Sequence, residues 1–307
     1  GLTLLPVFYA HANFGATPPL AEQRRFVNNL DGFARIAAAG QAAMADVAFA
    51  RIGVAPHSLR AVTPDELAAL VSLAGVDPVH IHVAEQATEV ADCLAWRGAR
   101  PTRLLFDLVP VDERWCLVHA THVDREEVTA IARSGAVVGL CPVTEANLGD
   151  GIFPARSYLD DGGRFGIGTD SHVTISAAEE LRLLEYAQRL ALRARNVCAP
   201  AGSSTGLALY LEALAGGRQA LGRSCGMIAP RQVADLVTLD AQHPCFANHD
   251  VDTILDAWVF AGGRAVVDGV WSAGEKRVTG GCHHERAAIA ARFRTTMRAM
   301  RSRLPLP

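Results

Sequence analysis

The chain has 307 residues, half of them hydrophobic, and a formal net charge of −3, which is enough apolar material for a barrel-sized core and a smaller unit beside it. No basic cluster occurs outside one C-terminal stretch, so the chain lacks the electrostatic footprint of a nucleic-acid or membrane-surface binder, and no apolar run reaches membrane-spanning length; a small polar metabolite is the expected partner. Seven scattered cysteines, none in a Cys-x-x-Cys pair, argue against a disulfide framework or a thiolate zinc site and for the reduced cytoplasm.

In chain order, Leu2 to Tyr9 reads as a strand that Gly1 enters directly, with no signal-peptide pattern before it. The expectation is a chain that starts inside a longer fold. Ala10 to Pro19 is a loop, and Ala21 to Ala39 has helical spacing. Val47 to Val54 is the next strand and runs into Ala55-Pro-His-Ser-Leu-Arg60, after which Thr63 and Pro64 signal a helix start. Pro78-Val-His-Ile-His-Val-Ala-Glu-Gln86 sets polar residues into a β-branched run, so His80 and His82 share a face and Glu85 falls where strand gives way to loop. A helix is expected from Ala87 to Trp96, a connector to Asp112, and a strand from Trp115 with His119 and His122 at its end. Asp124-Arg-Glu-Glu127 opens a further helix, Gly135 to Pro142 is a strand leading into a loop over 143–151, and Phe165-Gly-Ile-Gly-Thr-Asp-Ser-His172 is a short strand ending near Asp170. Helices over Ala177–Arg195 and Thr205–Leu221 follow.

Six strand-then-helix units in a row, with polar residues gathered at the strand ends, are the signature of parallel α/β architecture. They stand two short of a closed (β/α)8 barrel of the TIM type. The expected division is a partial hydrolase barrel over residues 1–221, a small β unit over 222–282 with strands at Ala234–Asp240, Ala257–Phe260 and Ala265–Val270, and a C-terminal helix within 283–307, its arginines solvated.

Three strand ends supply His82, His119 and Asp170. Imidazole and carboxylate ligands suit Zn2+, which in catalytic sites leaves a position for water. The motifs His82-Val-Ala-Glu85, Val118-His-Ala-Thr-His122 and Gly168-Thr-Asp-Ser-His172 resemble those of the amidohydrolase superfamily of metal-dependent deaminases and hydrolases. More narrowly, Ala55 to Arg60, His80 to Gln86 and Trp115 to His122 resemble the formimidoylglutamate deiminases of histidine degradation, and the likeness runs over essentially the whole chain.

The resemblance implies a (β/α)8 barrel with a small β appendage and one zinc ion per site. It matches His82 and Asp170 to metal ligands on the fifth and eighth strands, Asp170 being catalytic as well. It matches His119 to a proton-transfer group and Glu85 to the carboxylate that protonates the leaving nitrogen. His57 and Arg60 match substrate-pocket residues for a small dicarboxylate, with a homodimer as the candidate assembly. The first-strand His-x-His ligand pair of that family has no equivalent here. By that comparison the first two barrel units, roughly 120 to 150 residues, are expected to be missing, and the chain on its own is expected to be inactive.

Blander readings stand beside these. Arg60 also reads as a surface cation, His122 and His172 as structural, and Cys141 as core packing; Glu145 and Asn147 are candidate substrate contacts without a firm role. A ring deaminase or chlorohydrolase acting on a purine or triazine shares the motifs, and so does a metal-free binding relative.

Overall fold

The structure, a computed structural model, describes residues 1–303; the last four positions of the expected C-terminal helix segment, 304–307, lie outside the described residues. The first expected strand forms as two pieces, β1 (Thr3–Leu4) and β2 (Val7–Phe8), with Pro6, which has no N–H to donate, between them. They pair in parallel with β3 (Arg51–Ile52) and β4 (Ala55–Pro56). Parallel bridges Val54 to Val79 and Ser58 to His82 carry the arc on to β5 (Val79–Val83). From there β6 (Trp115–His119), β7 (Val137–Leu140) and β8 (Arg164–Ile167) continue it in sequence order, all parallel.

Helices line the arc in the order the alternation dictates: α1 (Leu30–Met44), α2 (Pro64–Ala74), α3 (Ala87–Arg97), α4 (Pro101–Leu108), α5 (Arg125–Ser134), α6 (Pro142–Leu148), α7 (Ala155–Asp160), α8 (Ala177–Leu192) and α9 (Thr205–Ala220). Their starts follow local chemistry. Thr63 with Glu66, and Asp124 with Glu127, form reciprocal capping boxes on α2 and α5. The expected helix over 21–39 instead begins as a 3-10 segment, Ala21–Phe26, and α1 starts only where the Asn29 side chain accepts from Gly32 N. The connector after Pro101 and the loop after Pro142 each begin as a helix, because proline fits the first helical position.

Beyond α9 the chain forms an antiparallel sheet in the order β12-β11-β10-β9 from β9 (Leu236–Leu239), β10 (Val267–Ser272), β11 (Glu275–Thr279) and β12 (Cys282–His283). The stretch 257–260 is not the expected strand. α10 (Ile254–Ala257) passes into a π-helical turn over Trp258–Gly262 that buries Trp258 and Val259. α11 (Arg286–Arg301) buries none of its residues. All seven cysteines are free, and no helix among the described residues is long and apolar enough to cross a membrane.

The seam between α9 and β8 decides how β8 is held. An ideal Cβ on Gly216 of α9 would lie 2.0 Å from the Phe165 carbonyl oxygen, and one on Gly166 of β8 would lie 3.2 Å from Gly217 N. Helix and strand therefore meet backbone to backbone. Gly216→Ala is expected to lose about 2 kcal/mol or more of stability even after the roughly 1 kcal/mol that alanine gains over glycine inside a helix. Gly217, whose Cβ would meet nothing within 4 Å, is the matched control, and Gly217→Ala should be neutral or stabilising. Denaturant midpoints that fall equally in the two variants would contradict the seam.

Candidate active site

Along β5, Val79, Ile81 and Val83 are buried on the helix side while His80 and His82 share the opposite, partly open face. The two histidines then diverge in role. His80 Nε2 donates to the Ala220 carbonyl at the end of α9, 2.8 Å away. His82 Nδ1 donates to the backbone carbonyl of His57 at 2.7 Å, which leaves the Nε2 lone pair for a ligand and fixes the ring's tautomer.

On β6, simple alternation would group His119 with Trp115 and Leu117. Positive φ at His119 (67°) and Ala120 (49°) breaks that alternation, and the imidazole stacks on His82 with 5.6 Å between ring centroids. Ala84, Asp170 and His172 also have positive φ, at 50°, 33° and 57°. Non-glycine residues in that region cost about 1–3 kcal/mol each and cluster where side chains are aimed for function.

Four of the expected residues come together. His82 stacks on His119 and lies 4.9 Å, centroid to centroid, from His57; Glu85 Oε1 is 3.7 Å from His119 Nε2. Asp170 lies on an exposed turn after β8, and its charge acts on both His82 and His119. Burial pushes the His82 imidazole below its ordinary value despite the His57 carbonyl and the acids around it, favouring the neutral form a metal requires. His57 is lowered to about 3, by burial first and then by His82 and Arg60. Burial would lower His119 too, but the hydrogen bond to Glu145 and the charges of Glu85, Glu145 and Asp170 outweigh it and raise the group.

Arg60 is half-buried on the loop after β4, and its charge acts on His57 and Glu89. Its Nε is buried with no hydrogen-bond partner, and it forms no ion pair among the described residues. His122 lies apart from the cluster and donates from Nε2 to the Asp150 carbonyl at 2.8 Å. His172 and Asn147 are exposed.

Two carboxylates carry more than their sequence context announced. Glu89 is buried in the first turn of α3 and accepts from Ala84 N and Glu85 N, both at 3.1 Å, which pins the turn that presents Glu85. Glu145, on α6, accepts from His119 Nδ1 at 3.2 Å. The signal for Glu145 was Pro142 at a helix start three residues before it; Glu89 reads as an ordinary acidic first turn.

The sequence profile of the Amidohydrolase family matches residues 14–277. The chain belongs to the amidohydrolase family. The arc of parallel strands is thus a partial (β/α)8 barrel of amidohydrolase type, with a small β-sheet attached. A formimidoylglutamate deiminase of Pseudomonas aeruginosa is 51% identical over 94% of this chain and 65% of that relative. The crystal structure of an amidohydrolase from Brucella melitensis superposes with a TM-score of 0.92 at 49% identity, covering 96% of this chain and 65% of that one. An adenosine deaminase of Xanthomonas campestris with bound zinc reaches a TM-score of 0.82 at 26% identity over 97% of this chain and 65% of that one. The chain therefore spans 65% of the length of each of these three proteins.

His82 and Asp170 fit a metal by type: one neutral imidazole with a free Nε2 lone pair, and one carboxylate on an exposed turn. Among the described residues of this amidohydrolase no three His, Cys, Asp or Glu side chains lie close enough to hold a metal by themselves.

Proposed function

We propose that this chain carries the site of a zinc-dependent amidine hydrolase that converts N-formimino-L-glutamate and water to N-formyl-L-glutamate and ammonia, a cytoplasmic step of histidine degradation. The observation that carries the substrate choice is Arg60: a guanidinium with a buried, unpartnered Nε, close enough to His57 for its charge to lower that ring. A guanidinium matches a carboxylate through two parallel hydrogen bonds, and formiminoglutamate brings two carboxylates at the end away from the reacting carbon. The relation to the Pseudomonas deiminase supports the same reading.

His82 and Asp170 would hold the metal, which when bound brings the pKa of water to about 7 and polarises the carbon under attack. His119 and Glu85, 3.7 Å apart, are placed to move a proton from the attacking water to the nitrogen that leaves as ammonia. His57, held neutral by burial, lines the pocket without adding charge beside Arg60.

The test compares ammonia release from formiminoglutamate, guanine and adenosine by the longest encoded form of the protein. Release from formiminoglutamate is the expected result, and release from guanine alone would overturn the substrate assignment. Arg60→Met should lower kcat/KM for formiminoglutamate by about 2 to 4 kcal/mol of transition-state stabilisation, the scale of a charge pair that loses one partner. Unchanged kinetics in that variant would remove Arg60 from the pocket.

A further inference from the structure

We propose that Glu145 is the positioning residue of this site: it holds His119 in the tautomer with its proton on Nδ1, so that the Nε2 lone pair faces Glu85. Glu145 Oε1 accepts from His119 Nδ1 at 3.2 Å and from the Cys141 backbone N–H at 2.9 Å, and both side chains are buried. A carboxylate only accepts, so the ring nitrogen facing it must carry the proton, and the other nitrogen is left with its lone pair. That other nitrogen is the one 3.7 Å from Glu85. The Cys141 N–H fixes which carboxylate oxygen meets the ring.

The carboxylate is itself braced. Next to it on α6, the Thr144 hydroxyl shares a hydrogen bond with the Ser171 hydroxyl at 3.0 Å and accepts from Ser171 N at 3.2 Å. One residue earlier, Val143 N donates to the buried Glu180 at 2.9 Å. The first turns of α6 thus grip the ring of His119 from β6 and the turn that carries Asp170 after β8. One short helix sets the two against each other, across the strand β7 that separates them in the sheet.

The tautomer can be read without any reaction; only the kinetic half of the test rests on the deiminase reading. Histidine ring nitrogens are labelled with 15N, His119 is assigned by its absence in His119→Gln, and the ring pattern is recorded on the alkaline side of its titration. The expected result is the Nδ1–H tautomer in the parent and in Glu145→Gln, whose amide oxygen keeps the same acceptor, and a mixture in Glu145→Ala. In ammonia release from formiminoglutamate, Glu145→Ala should lose roughly 10- to 100-fold in kcat. Its KM should stay within about twofold, and Glu145→Gln should recover most of the loss.

The Nε2–H tautomer in the parent, or an Ala variant with an unchanged tautomer, would overturn the assignment. Should Glu145→Ala fail to fold, a Gln variant shifted to Nε2–H overturns it equally. The expected tautomers combined with no ammonia from the longest encoded form of the parent would leave the brace standing and sink the deiminase reading.

Discussion

Asp170→Ala is expected to lose metal and turnover together. The residue sits on an exposed turn at the end of β8 with φ of 33°, so its side chain supports no core, and truncation should leave the fold in place. What the change removes is a carboxylate whose charge reaches both His82 and His119, as that of Glu85 also does. Lewis-acid assistance is worth several kcal/mol, so the loss in kcat/KM should be on the order of 10³-fold or more. Asp170→Asn, which keeps the shape and tolerates the same backbone, should behave alike while unfolding at nearly the parent temperature. Metal analysis after dialysis and ammonia release on the longest encoded form of the protein check this together; stoichiometric zinc with full activity in either variant would end the assignment.

Glu85→Gln should separate the two losses. Its carboxylate is partly exposed with Oε1 3.7 Å from His119 Nε2, and its backbone is anchored by Glu89. The amide keeps size and polarity but cannot carry the proton. The variant should therefore retain its metal and lose on the order of 10²-fold or more in kcat, the usual contribution of a general acid or base. Loss of metal in step with activity would make Glu85 a ligand instead.

What could be read in advance followed from short-range rules. The β-branched run around His80 and His82, the helix starts at Thr63 and Asp124, and the polar residues at strand ends each obey a local rule, and the parallel arc follows from their alternation. The failures were also local. Ala257-Trp-Val-Phe260 is four apolar residues without a period, equally suited to a strand or a buried helical turn, and tertiary packing chose the turn. The helices after Pro101 and Pro142 do not show in the sequence because each is a short stretch behind a proline, which suits a connector as well as a first helical turn.

Glu89 and Glu145 were obscure for a different reason. An acid near a helix start looks like a solvated partner of the helix dipole, and only the packing of a neighbouring strand shows that it is buried and engaged. Gly216 of α9 likewise looks like a weakness in a helix until the Phe165 carbonyl is seen against it.

The bond from His82 to residue 57 is made to a carbonyl oxygen of the main chain, and every amino acid has one. Whatever side chain occupies position 57, the ring of His82 keeps its orientation. Under the proposed function the same loop, through the side chains of His57 and Arg60, faces the molecule to be hydrolysed. On that reading, substitutions on this loop are free to follow a new substrate without turning the ring of His82, and the two demands do not compete.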